Sequence, residues 1–146
     1  YTILDFGMII IASQSVERLK KKIRELTKRN RGVSFEKVIL ELTPVLRGWL
    51  NYFHIAKCKS LLRKLDAWIR RKLRCYRLKQ CKRAITLKRF LKSLGVPNWQ
   101  SWILALSGKG WWRKSGCPQV HQAMNLNWFE DLRLFNMSNN YALLQN

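Results

Sequence analysis

The side chains in this sequence best suited to chemistry are cations. Arg18, Lys21 and Arg24 lie with Lys20, Lys22, Lys28 and Arg29 on the face of a segment opposite Val16, Leu19, Ile23 and Leu26. Arg63, Arg70, Arg71, Arg74 and Arg77 crowd a second run, with Lys64, Lys72 and Lys79 among them, and Asp66 is the only acid from Lys57 to Lys92. Such arrays neutralise phosphates and release counterions, which gives affinity that falls steeply with salt and carries no base-sequence information. Along an A-form duplex the contacts would go to phosphates and 2′-hydroxyls, because the deep major groove of RNA excludes side chains. A surface serving solubility alone would mix both signs.

A second chemistry is written into Ser107 to Gly116, where glycines, cations and paired tryptophans alternate. One reading is a loop in which Trp111 or Trp112 stacks a nucleobase while Lys109, Arg113 and Lys114 hold the backbone. The alternative is that the indoles close a small core. Catalysis finds no support. Two-metal chemistry needs clustered carboxylates, whereas Asp5, Asp66 and Asp131 are scattered. Cys58, Cys75, Cys81 and Cys117 include no Cys-x-x-Cys pair, and His54 and His121 stand at no metal spacing to them, so the cysteines read as free thiols. His121, with no nucleophile or carboxylate near it in sequence, is read as structural or as a phosphate contact. No catalytic residue, metal ligand or cofactor is therefore expected in the chain itself.

Composition agrees with a folded polyanion binder. A net charge of +21 is combined with 47% hydrophobic and 12% aromatic residues, which is the apolar content of a globular chain. Charge of that size calls for RNA, DNA or an acidic membrane surface as partner, and nucleic acid is favoured. There is no run of 18 apolar residues and no signal peptide, so no membrane association is expected. The chain begins with Tyr1, as a piece of a longer protein would.

Helices must position these residues. Tyr1 to Leu4 and Met8 to Ala12 are short β-prone runs around Asp5-Phe6-Gly7, which predicts a β-hairpin. Ser15 is a candidate N-cap for a helix running to Lys28 and broken at Asn30-Arg31-Gly32. Ser34 caps a second helix, expected to stop at Pro44, where a third begins with Thr43 as cap. In that third helix Val45, Trp49 and Phe53, widened by Leu46, Leu50 and Tyr52, form a core stripe, and Gly48 suggests a close neighbour. Arg47 and Asn51 place two polar heads on one side, to contact a ligand or to brace a neighbouring turn. Ser60 is expected to cap the long basic helix, whose buried stripe runs from Leu61 to Tyr76. A short helix from Leu87 to Leu94 closes at Gly95, and Gly95 to Asn98 is the best candidate for a subdomain boundary. Asn98 caps a further segment, Pro118 opens a helix through Met124, and Trp128 to Leu132 forms the last, leaving Asn136 to Asn146 as a partly ordered tail.

The stretch Leu46-Arg47-Gly48-Trp49-Leu50-Asn51-Tyr52-Phe53 resembles the signature of the maturase domain of group II intron reverse transcriptases. The resemblance covers essentially the whole chain. Tyr1-Thr2-Ile3 looks like the end of a polymerase core, Ser15 to Gly32 and Leu65 to Arg74 are similar to thumb helices, and Gly108 to Arg113 with Pro118-Gln119 is similar to the family's DNA-binding region. Thr43 stands where the family usually has asparagine, and Arg133 where glycine is expected, which puts a turn near the C-terminus in doubt. The resemblance implies a mainly α fold: residues 1–14 as the end of the polymerase core (the β-hairpin), 15–84 as a thumb-like, maturase-specific helical bundle, and 85–146 as a small helical DNA-binding region.

By that resemblance the chain is a thumb and maturase fragment, and its catalytic palm lies upstream of Tyr1 in a missing N-terminal polymerase domain. It would stabilise folded group II intron RNA for splicing and clamp a template-primer duplex or target DNA, through Arg18, Lys21, Arg24, Arg47, Asn51, Arg63, Arg70, Arg71, Arg74 and Arg77 for RNA. Mg²⁺ would belong to the parent RNA-directed DNA polymerase and to the intron RNA. The setting implied is cytoplasmic and bacterial. The alternative is a basic helical protein that binds RNA or DNA without intron specificity.

Overall fold

The structure is a computed structural model, and it describes residues 2–3, 9–28 and 31–144. The fold is mainly α, with helices α1 (Ser13–Leu26), α2 (Phe35–Phe53), α3 (Lys59–Cys81), α4 (Ala84–Ser93), α5 (Asn98–Ala105), α6 (Trp111–Lys114), α7 (Pro118–Ala123), α8 (Leu126–Asp131) and α9 (Met137–Leu144). The N-terminal β-hairpin expected over residues 1–14 is not supported as an element of this fold. Among the described residues there, extended pairing involves Thr2–Ile3 against Ile9–Ile10, two residues on each side, too little to form a sheet on which helices pack. The expected Asp5-Phe6-Gly7 turn lies outside the described residues, as do Tyr1, Leu4, Met8, Arg29, Asn30, Gln145 and Asn146.

α1 starts two residues before Ser15, with Ala12 at the N-cap, and buries Val16, Leu19 and Ile23. Arg31 closes its far end by donating to the Leu26 carbonyl, and its other nitrogen pairs with Glu41 of α2 at 2.7 Å. Ser34 caps α2 as expected, accepting from the Lys37 N–H at 3.2 Å.

The break expected at Pro44 does not occur, since α2 runs through it. Proline removes one donor, and the carbonyl left without a partner belongs to Leu40, which like Pro44 is exposed. Thr43 is no cap either: its hydroxyl donates to the Ile39 carbonyl one turn back, at 3.1 Å. The core face is also rotated from the expected stripe. Leu42, Leu46 and Leu50 are fully buried, Val45 and Trp49 only partly, and Tyr52 is 67% exposed. Gly48 faces open space, with nothing within 4 Å of where a Cβ would stand, so no neighbouring helix explains it.

α3 is the element around which the others pack, with α2, α4, α6 and α9 all against it. It begins after Cys58, so Ser60 sits inside the helix and caps nothing. Leu62, Leu65, Ile69, Leu73, Tyr76 and Leu78 are at or near zero exposure, each contributing about 1.5–3 kcal/mol by burial. Tyr76 donates to the Val33 carbonyl at 2.6 Å and thereby pins the α1–α2 connection. α4 ends as expected at Gly95, whose φ of +96° needs glycine, with Val96 N–H returning to the Leu91 carbonyl. Asn98 is the first residue of α5, with Pro97 at the cap position.

The tail also differs from expectation. Asn136 accepts from Ser138 Oγ and from the Asn139 N–H, starting α9, and Met137 and Tyr141 enter the core. Asp66 of α3 completes the attachment by accepting from the N–H groups of Met137 and Ser138 and from Ser138 Oγ at 2.8–3.1 Å. The lone acid of the basic helix is thus an N-terminal cap for a helix about seventy residues away.

Candidate nucleic-acid interface

Burial divides the cations into two groups. Arg18, Lys21, Arg24, Arg47, Asn51 and Arg63 are exposed, whereas Arg70, Arg71 and Arg77 are half-buried and Arg74 is buried. Arg74 donates Nε–H to the Met124 carbonyl at 2.9 Å and lies 5.3 Å from the Phe129 ring. Burial, helped by the nearby Arg70 charge, pulls its pKa down to about 10, so it stays charged at neutral pH. Arg77 stacks on Phe90 at 4.2 Å, and Arg47 lies 5.5 Å over Phe135. These guanidinium groups fasten the C-terminal helices to α2 and α3.

Arg71 does the same for the paired tryptophans. It donates to the Trp112 carbonyl at 3.0 Å and to Ser115 Oγ at 3.3 Å, and its guanidinium lies 4.1 Å from the Trp112 ring. Within the segment expected to be a loop, Ser107 to Gly110 is irregular, but Trp111–Lys114 forms the helical turn α6, packed on α3. Both indoles are half-buried, Trp111 packing against the core, and Lys114, expected to hold a backbone, is 7% exposed with its ammonium 4.8 Å from Trp111. Lys109 and Arg113 remain exposed.

Where α1 and α3 run past each other and α6 abuts them, a cleft of about 540 Å³ opens, lined by Arg24, Thr27, Lys28, Lys72, Cys75, Lys79 and Trp112. Cys75 and Thr27 are its buried lining residues, and Trp112 is half-buried. Its rim carries four cations and its lining no acid. Beside it Trp68 is surrounded by Lys20, Arg24 and Lys72 at 5.5–6.0 Å from the ring, and Lys72 also lies 5.2 Å from Trp112. The α1 cations and the α3 cations, far apart in the chain, thus share one basic surface studded with two indoles.

Of the residues singled out from sequence, Arg24 and Trp112 meet in this cleft, with Arg18 and Lys21 also on α1. Arg47, Asn51, Arg63, Lys109 and Arg113 are not among its lining residues. Lys28, Lys72 and Lys79 belong to the arrays expected to face phosphates but not to the residues singled out as RNA contacts, although Lys72, Cys75 and Lys79, at i, i+3 and i+7, mark one face of α3. A second depression, lined by Arg70, Arg71, Arg74, His121 and Asn125 among others, is also basic. Burial, then the charges of Arg74, Arg71 and Arg70, lower the His121 pKa, so the ring is neutral at pH 7.

No helix among the described residues is long and apolar enough to cross a membrane. The cysteines are free thiols, three of them buried, and burial pushes the Cys58 thiol up to about 11. No curated protein matches the chain. Residues 16–95, more than half of its length, match the family model described as group II intron, maturase-specific domain.

Proposed function

This chain belongs to the group II intron maturase-specific domain family, and from that premise we propose that it binds folded group II intron RNA through the basic surface of α1 and α3. Bound there, it stabilises the RNA fold in which the RNA itself carries out splicing. The observation that supports this reading is the convergence of Arg24, Lys28, Lys72 and Lys79 on one cleft whose lining contains no acid. A surface of that kind suits the close-packed phosphates of a folded RNA, where counterion release is largest. The match ends at Gly95, the residue after the Leu94 C-cap of α4, so the helices beyond it lie outside the matched region.

In the parent enzyme, an RNA-directed DNA polymerase on this reading, the same surface clamps the template-primer duplex beside the polymerase domain. Lys109 and Arg113 are the accessible members of the group assigned to target DNA. The reading gives this chain neither a metal nor a catalytic residue, and Mg²⁺ resides with the intron RNA and the polymerase domain.

The test is the affinity of the chain for a folded group II intron RNA and for an unrelated structured RNA of equal length. Both should weaken by about 10³ or more between about 50 and about 200 mM salt if six or more phosphates are contacted. Intron specificity requires that the intron RNA keep a clear advantage at the higher salt. Coincident curves throughout would reduce the chain to a non-specific electrostatic clamp and overturn the maturase reading.

A further inference from the structure

We propose that the cleft between α1 and α3 accepts a single unpaired nucleotide of a bound RNA, its base stacked on Trp112 and its flanking phosphates held by Arg24, Lys28 and Lys79. The inference rests on the RNA-binding reading above and specifies what the cleft takes. A rigid duplex presents phosphates to a surface, but it keeps its bases stacked and cannot send one into a recess. The recess nevertheless offers a flat group one aromatic lining residue, the Trp112 indole. Its volume of about 540 Å³ falls in the range of small-ligand sites, and its lining combines that indole and a buried thiol with a rim of cations. Base above indole with phosphates at the rim is the arrangement by which proteins hold unstacked nucleotides.

The indole is held in advance. Arg71 grips the Trp112 carbonyl and Ser115 Oγ, and its guanidinium covers the ring at 4.1 Å, so little ordering remains to be done on binding. Arg71 is in this sense a positioning residue. The walls offer little to read base identity, because the Thr27 hydroxyl is already donated to the Ile23 carbonyl at 2.7 Å. The site selects an unpaired base over a paired one and tolerates any base, purines best because they stack over the larger area.

The experiment uses the chain with two short RNA duplexes of equal charge, one carrying a single-nucleotide 2-aminopurine bulge and one fully paired, at about 150 mM salt. The bulged duplex should bind about tenfold more tightly, the worth of one stacked base, and its 2-aminopurine fluorescence should be quenched on binding. Trp112→Leu should remove both the quenching and the preference, bringing the two duplexes to equal affinity, and Trp112→Phe should keep part of each. Because Trp112 also packs on α3, the paired change Lys28→Ala with Lys79→Ala gives a second route, and it should weaken the bulged duplex more than the paired one. Equal affinity for the two duplexes overturns this inference and leaves the RNA-binding reading standing, whereas binding of neither overturns both. A preference unchanged in Trp112→Leu and in the double lysine variant also overturns it.

Discussion

Arg133 has a φ of +60° just past α8, where its N–H returns to the Glu130 carbonyl and that of Leu134 to Phe129. A left-handed residue with a Cβ costs about 1 kcal/mol relative to glycine, so Arg133→Gly should raise the melting temperature by about 3 °C in a thermal scan. The same scan separates two kinds of arginine. Arg74→Ala strands the buried Met124 carbonyl and uncovers Phe129, for a loss of about 2–4 kcal/mol. Arg18→Ala, at an exposed site, should change stability by less than about 0.5 kcal/mol yet lower the salt slope of RNA binding by about one. Asp66 supplies a pH dependence. Burial raises its pKa, against the hydrogen bonds from Ser138 and Met137 and the Arg70 charge, so the ionised form is the one disfavoured by folding. Its contribution is therefore fully present below the ordinary carboxylate range and is lost as pH rises through the raised folded value. Relative to Asp66→Asn, which cannot titrate, the native chain should gain stability as pH falls from about 7 towards about 4, as read by urea unfolding.

At the scale of the element, α2 shows how exposure decides the effect of a helix breaker. Pro44 lies on an exposed face, and packing of Leu42, Leu46 and Leu50 on either side holds the helix through it. Gly48 on the exposed surface of the same helix has no neighbour to accommodate, so Gly48→Ala should stabilise the chain by about 0.5–1 kcal/mol in chemical denaturation. α9 is the converse case. Its amino acids have weak helical periodicity, and the helix exists because Asp66 caps it, Tyr141 donates to the Ala56 carbonyl at 3.0 Å, and Met137 is fully buried.

For the whole molecule, one hydrophobic cluster extends from Ile11 to Tyr141, joining the maturase-specific region to the helices that follow it. Arg71 and Arg74 cross that junction and Arg77 covers Phe90 of α4, which explains why the densest charge on α3 is only partly available to a ligand. A shared core predicts one cooperative thermal transition, superimposable when followed by far-ultraviolet circular dichroism and by tryptophan fluorescence. Two separated transitions would show that the residues before and after Gly95 fold independently.

Sequence by itself determined the helical class, the inward residues of α1, the Ser34 cap, the Gly95 terminus, the family, and the excess of unpaired positive charge. Each of these is local or additive: periodicity, capping chemistry and net charge need no knowledge of what lies across the core. It also marked Arg133 as out of place, because a glycine position is a statement about φ. Tertiary structure alone decided which arginines face solvent, that Asp66 caps a helix about seventy residues on, and that Trp112 lines a cleft with Arg24 and Lys28. Those depend on contacts between residues distant in the chain, and charge type carries no information about burial. An arginine that binds phosphate and an arginine that holds a carbonyl and an aromatic ring are the same letter, and packing alone assigns the role.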